Sequence, residues 1–173
     1  MMKNVRILDC TLRDGGRIID CAFPDEETKE ISRRLAEAKI DIIEVGFLRD
    51  RRKVNYQGNS TFFTDVDQIR PFVNKEKKGV LYTAFIDYGM CDIDTLKPYD
   101  GTSIDAIRFG FTKKNYDEEK EEVIRWINVI KEKGYKLFIQ GVNSLNYTDR
   151  ELLEIVDMVN EAHPYSFGIV DRS

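Results

Sequence analysis

Short apolar runs alternate with longer amphipathic stretches along this chain. Residues 5–10, 40–47, 80–86, 106–111, 136–142 and 165–170 are short runs rich in β-branched or aromatic side chains, as buried parallel strands are. Between the first two, residues 25–39 read as a helix. Ile31, Leu35 and Ala38 share one of its faces, and Pro24 and Asp25 stand at its start. Residues 116–133 place Val123, Ile127 and Ile130 at helical spacing, with Gly134 positioned as a C-cap. Residues 148–162 open on a capping box, Thr148 with Glu151, and set Leu152, Ile155, Val156 and Val159 on one side. Residues 64–73 predict a shorter helix, and 93–99 only a turn or two.

Strands separated by helices imply βαβ crossovers and a parallel sheet. Two architectures fit, an open doubly wound sheet and a (β/α)8 barrel. A barrel takes about 250 residues, and a chain of 173 with six βα-type strands falls short of that. The polar residues point the other way. The first strand leads to Arg13 and Asp14, and the second carries Glu44 before Gly46. The third ends at Asp87, and the fourth holds Arg108 before Gly110. The fifth ends with Gln140 and Asn143, and the sixth with Asp171. A barrel brings such carboxyl ends to one face, where active sites are built. An open sheet spreads them along an edge, with a ligand only at the switch point. The expected fold is therefore α/β, a TIM barrel present as an incomplete N-terminal portion of about six βα units across residues 1–173.

Each polar residue has a structural reading beside a chemical one. Asp14 before Gly15 and Gly16 suits a turn as well as a ligand. Glu44, set inside Ile42-Ile43-Glu44-Val45, needs a cation or hydroxyl, because an unpaired carboxylate in a buried strand is costly. Arg13 is the expected partner. Arg108 suits a structural ion pair, and Gln140, Asn143 and Asp171 suit loop backbone. The run from Arg49 to Lys53 reads as a solvated loop, with capture of an anionic substrate tail as the alternative. His163, the single histidine, falls at a helix C-terminus on the opposite side from the strand ends. Trp126 reads as a core residue. No P-loop, GxGxxG or HExxH occurs.

Composition narrows the classes. A net charge of −4 argues against nucleic-acid binding, which needs a basic surface. No apolar run approaches the roughly 20 residues of a membrane span, and the N-terminus lacks the apolar core of a signal peptide. Three widely spaced cysteines, Cys10, Cys21 and Cys91, read as reduced thiols of a cytoplasmic protein.

The segment from Leu8 to Gly16, LDCTLRDGG, together with Ile43-Glu44-Val45-Gly46-Phe47, resembles the metal-dependent aldolase and Claisen-condensing superfamily. That group includes 4-hydroxy-2-oxovalerate aldolase, hydroxymethylglutaryl-CoA lyase, isopropylmalate synthase and homocitrate synthase. The similarity continues through Asp87, Arg108 and Asp171. It implies a TIM barrel with a divalent metal, Mn2+ or Mg2+ with Zn2+ as the alternative, and a 2-oxo acid substrate. Asp14 would be a metal ligand, Arg13 would stabilise an enolate oxygen, Glu44 would orient Arg13 or a bound water, and Arg108, Asn143 and Asp171 would meet the substrate.

Gly16-Arg17 after the motif leans toward the 4-hydroxy-2-oxovalerate aldolase branch. The histidine base frequent in that branch is missing, with Asp20 the substitute candidate. The family's His-x-His ligand pair on a seventh strand is also missing, so the chain is expected to be part of a longer enzyme. Its two unpaired sheet edges predict a homo-oligomer. Acyl-CoA-dependent Claisen synthesis, or an inactive barrel serving as a binding module, are the alternatives.

Overall fold

The computed structural model describes residues 5–53 and 61–170. Its strands are β1 (Leu8–Asp9), β2 (Ile42–Leu48), β3 (Phe62–Phe63), β4 (Leu81–Asp87), β5 (Ala106–Thr112), β6 (Lys136–Val142) and β7 (Ser166–Val170). Three helices, α1 (Asp25–Glu37), α2 (Lys113–Glu132) and α3 (Asp149–Ala162), alternate with them, together with short 3-10 turns. Every strand pair is parallel. The principal strands lie in chain order, β1-β2-β4-β5-β6-β7, while β3 pairs with the carboxyl end of β2.

That order decides between the two architectures. A doubly wound sheet reverses at a switch point, and this one never reverses. The sheet instead curls into a half-barrel, an incomplete TIM barrel. Arg6, just before β1, donates a hydrogen bond to the Tyr165 hydroxyl just before β7, and its guanidinium lies 5.7 Å from the centre of that ring. The amino ends of the first and last strands therefore approach each other.

The two faces of the sheet differ. Ile42, Ala106 and Phe138 pack with Leu8 and Leu81 on the concave face, near the amino ends. Two residues further along, the same face presents Glu44, Thr83, Arg108 and Gln140, because strand side chains repeat every second position. An apolar plug thus supports a polar layer. The convex face carries Ile43, Tyr82, Ile107, Phe109 and Ile139 into the main core. There Trp126 of α2 stacks on Phe109 with ring centres 5.7 Å apart, alongside buried Val123, Ile127 and Ile130.

Several elements differ from expectation for identifiable reasons. Helix α1 buries Thr28, Ser32 and Ala36 most deeply, with Ile31 and Leu35 packed against the core beside them as expected, while Ala38 caps the helix and is exposed. Small side chains let it approach closely, and the Ser32 hydroxyl is satisfied by the Phe72 carbonyl at 2.6 Å. Residues 64–73 hold a 3-10 helix, Val66–Phe72, that contains Pro71, whose ring and missing N–H break α-helical bonding. Helix α2 starts earlier than predicted, where Thr112 and Asn115 form a capping box, and it breaks at Glu119. The capping box of α3, Thr148 with Glu151, stands as predicted, and His163 caps its end in the left-handed region. The two-residue strand β3 had no periodicity to reveal it.

Candidate active site at the strand ends

A bulge in β2 aims the central residues. Its register with β4 shifts between Glu44 and Phe47, so two side chains three positions apart both face the concave side. Gly46 sits inside the bulge, where a Cβ would lie 2.2 Å from the Thr61 carbonyl oxygen. Only glycine permits that approach. Beyond it, Phe47 meets Phe85 of β4 edge to face, 6.1 Å between ring centres, with Cys21 and Phe62 in the same cluster.

Glu44 is completely buried, and each carboxylate oxygen takes a guanidinium. Oε1 accepts from Arg13 Nε, and Oε2 accepts from Arg108 Nη1 at 2.6 Å. Arg13 reaches it because the chain turns sharply after β1, with the Arg13 and Asp14 amides both donating to the Cys10 carbonyl. Its Nη1 donates to Asp14 Oδ1 at 2.7 Å. Arg108 also spans to Gln140 Oε1, 3.3 Å from its Nη2, and lies 3.5 Å from Cys10 Sγ. Both guanidiniums rest on Phe85, at 4.8 Å for Arg13 and 5.5 Å for Arg108, a cation–π contact.

The ionisation states follow. Burial by itself would lower the Arg13 pKa, but the Glu44 charge and hydrogen bond outweigh it and hold the guanidinium charged. Cys10 is pushed up to about 11, first by burial and then by the Glu44 charge. It is a neutral thiol at physiological pH.

These groups border a cavity of ≈220 Å³ lined by Arg13, Asp14, Arg17, Phe85, Asp87, Arg108, Gln140, Val142 and Val170. The structure therefore brings together Arg13, Asp14, Arg108, Asp87 and Gln140 from separate strand ends, with Glu44 binding two of them from below. Asn143 follows β6 with left-handed backbone, φ 62°, and is not among the lining residues. Asp20 is an exposed left-handed residue at the end of a 3-10 turn, also away from the lining. Asp171 lies outside the described residues.

Arg49 corrects the reading of 49–53 as a solvated loop. It ion-pairs with Asp87 and lies 4.0 Å over the Phe47 ring, and Asp50 beside it is also mostly covered, so only residues 51–53 of the run are exposed. The available signal was its position directly after the IEVGF strand. Arg17 also escaped the sequence reading as a lining residue. Its Nε lies 3.3 Å from Asp14 Oδ1, and its guanidinium lies 5.1 Å over Phe47.

A divalent cation would need several oxygen or nitrogen donors. Among the described residues no group of three His, Cys, Asp or Glu side chains is placed to hold one. Asp14 is an exposed carboxylate whose Oδ1 already faces two guanidiniums. The described side chains supply one candidate ligand and not a ligand set.

Comparison with known proteins identifies the fold and the family. Homocitrate synthase AksA of Methanocaldococcus jannaschii is 25% identical over 99% of this chain and 41% of its own length. The "Probable 2-isopropylmalate synthase" of Methanosarcina acetivorans is 26% identical over 92% of this chain and 30% of its own. This chain thus spans less than half the length of either relative. The structure of HMG-CoA lyase from Brucella melitensis shares the fold, with a TM-score of 0.66 at 13% identity, covering 96% of this chain and 61% of that one. The HMGL-like family model matches residues 4–172, and the chain belongs to that family, whose members are enzymes, both lyases and acyl-CoA-dependent condensing synthases.

Proposed function

We propose that this chain carries the enolate-stabilising part of an aldolase of the 4-hydroxy-2-oxovalerate class, which makes or breaks a carbon–carbon bond between pyruvate enolate and an aldehyde. One observation supports the reading above the rest. A fully buried carboxylate, Glu44, holds two guanidiniums at the floor of a cavity sized for a small molecule.

The arrangement leaves donors available. Glu44 occupies Arg13 Nε and Arg108 Nη1, and Asp14 occupies Arg13 Nη1. Arg13 Nη2 makes no hydrogen bond within the described residues, and both arginines line the cavity. In carbon–carbon cleavage, electrons from the breaking bond collect on the carbonyl oxygen beside it. Fixed N–H donors at that oxygen stabilise charge that exists only as the bond breaks, which is how such groups accelerate a reaction. The second guanidinium, Arg108, would meet the substrate carboxylate with the N–H groups that Glu44 and Gln140 leave over. Enzymes of this family typically use a divalent metal, toward which the described residues offer Asp14 as a candidate ligand without a complete set.

The test is release of pyruvate from a panel of 4-hydroxy-2-oxo acids by the full-length protein, assayed with Mn2+ or Mg2+ present. Absence of pyruvate from every member would sink the aldolase reading. The synthase names of both curated relatives favour a second reading, condensation of an acyl-CoA with a 2-oxo acid. Thiol released from acetyl-CoA, without pyruvate release in the first assay, would select it.

A further inference from the structure

Gln140 has a setting unlike that of the other polar residues at the strand ends. Its register partner on β5 is Gly110, and its partner on β7 is Gly168. A residue with glycine on both neighbouring strands can lie flat across the sheet instead of standing up into the cavity. It does so over Gly168, where an added Cβ would fall 2.6 Å from Gln140 Oε1 and 2.9 Å from Nε2.

The space over the other glycine is filled by Phe85, whose ring would lie 2.6 Å from a Cβ on Gly110. That ring also underlies Arg13 and Arg108. The two glycines thus hold one aromatic and one amide side chain down as the floor on which the guanidiniums rest.

Lying flat, the Gln140 amide is fully directed. Nε2 donates to the Ile139 carbonyl at 2.9 Å, which fixes which way round the amide points, and Oε1 accepts from Arg108 Nη2. Gln140 is 5% exposed. Arg108 is therefore gripped at both terminal nitrogens, by Glu44 at Nη1 and by Gln140 at Nη2. A neutral acceptor at Nη2 orients the guanidinium without cancelling the charge it offers to a ligand. A carboxylate there would form an ion pair and compete with an anionic substrate.

We propose that Gln140 is a positioning residue for Arg108, and that Gly168 is glycine so that the Gln140 amide can lie against the sheet in that role. This rests on the cavity being the oxyanion site described above. The experiment keeps the two ideas separate by using oxalate, a planar dianion resembling a pyruvate enolate, as a calorimetric probe on the 173-residue chain.

The unsubstituted chain should bind oxalate. Gln140→Ala should weaken it roughly tenfold, the scale of one hydrogen bond to a charged group. Gly168→Ala should weaken it to a similar degree, but should add nothing when Gln140 is already alanine. A general loss of fold integrity would instead add in both backgrounds, since independent effects sum. Gln140→Met, which keeps the floor filled without hydrogen bonds, should match Gln140→Ala.

Equal weakening by Gly168→Ala in both backgrounds, or oxalate affinity unchanged in Gln140→Met, would overturn the positioning role while leaving the oxyanion site intact. No oxalate binding by the unsubstituted chain would overturn the oxyanion site and the positioning role with it.

Discussion

Arg108 Nη1 lies 2.6 Å from Glu44 Oε2, a bond that joins β5 to β2 over the strand between them, β4. The carboxylate is wholly buried and its second oxygen holds Arg13. One residue therefore ties three strand ends into a single charged unit.

Removing that carboxylate should be costly. Glu44→Ala would leave two largely buried guanidiniums without their shared counter-charge, and breaking a buried pair from one side costs about 3–5 kcal/mol. Urea unfolding with linear extrapolation measures it. A loss below about 1 kcal/mol, the range of surface ion pairs, would show that Glu44 does not organise the site.

Arg13→Lys tests the proposed chemistry more directly. An ammonium cannot reach Glu44 and Asp14 in the forked geometry and still present a further donor. The kcat for pyruvate release should fall by about 10²-fold, as when one transition-state donor is lost, with KM changed little. A change confined to KM would assign Arg13 to ground-state binding instead.

The β2 bulge makes Gly46 intolerant. The atoms that a Cβ would strike are the Thr61 carbonyl oxygen and carbon, at 2.2 and 2.8 Å, which are backbone and not the tip of a mobile side chain. Gly46→Ala should cost about 3 kcal/mol, the upper part of the overpacking range. It should also displace Phe47 from beneath Arg13, Arg17 and Arg49. A melting temperature equal to that of the unsubstituted chain would refute the close approach.

The cysteines should resist alkylation near neutral pH. Burial raises all three, Cys10 to about 11 and Cys91 to about 12, and only the thiolate reacts. Because the folded values exceed the unfolded value of 9.0, the protonated thiols favour the folded state below pH 9. That contribution is lost as pH rises from 9 through the folded values. Mass-resolved iodoacetamide labelling at pH 8 should be slow for each cysteine in the folded chain and fast in urea. Fast labelling of Cys10 in the folded chain would contradict its placement against Arg108.

Much of this architecture was legible along the chain. The alternation of buried runs and amphipathic stretches placed the principal strands and the three α-helices. The polar residues ending each strand pointed to a converging barrel face before any pairing was known. The Glu44–Arg13 pair was also within reach of local physics, since a carboxylate inside an apolar strand needs a cation or a hydroxyl and Arg13 was the expected partner. Helix α1 shows where such reading ends. Ile31 and Leu35 pack against the core as read, but its most deeply buried positions, Thr28, Ser32 and Ala36, are set by a close approach that only small residues allow.

What the sequence determined by itself was therefore the kind of fold and the chemical character of the strand ends, because both depend on the periodicity and type of neighbouring residues. The tertiary structure decided which groups meet. Arg49 was drawn from its charged run onto Phe47 and Asp87, Arg17 was turned into the cavity, and Asn143 was left outside its lining. The physical reason lies in contacts between strands. The bulge at Gly46 and the flat placement of Gln140 over Gly168 depend on register, and register is a relation between segments distant in sequence.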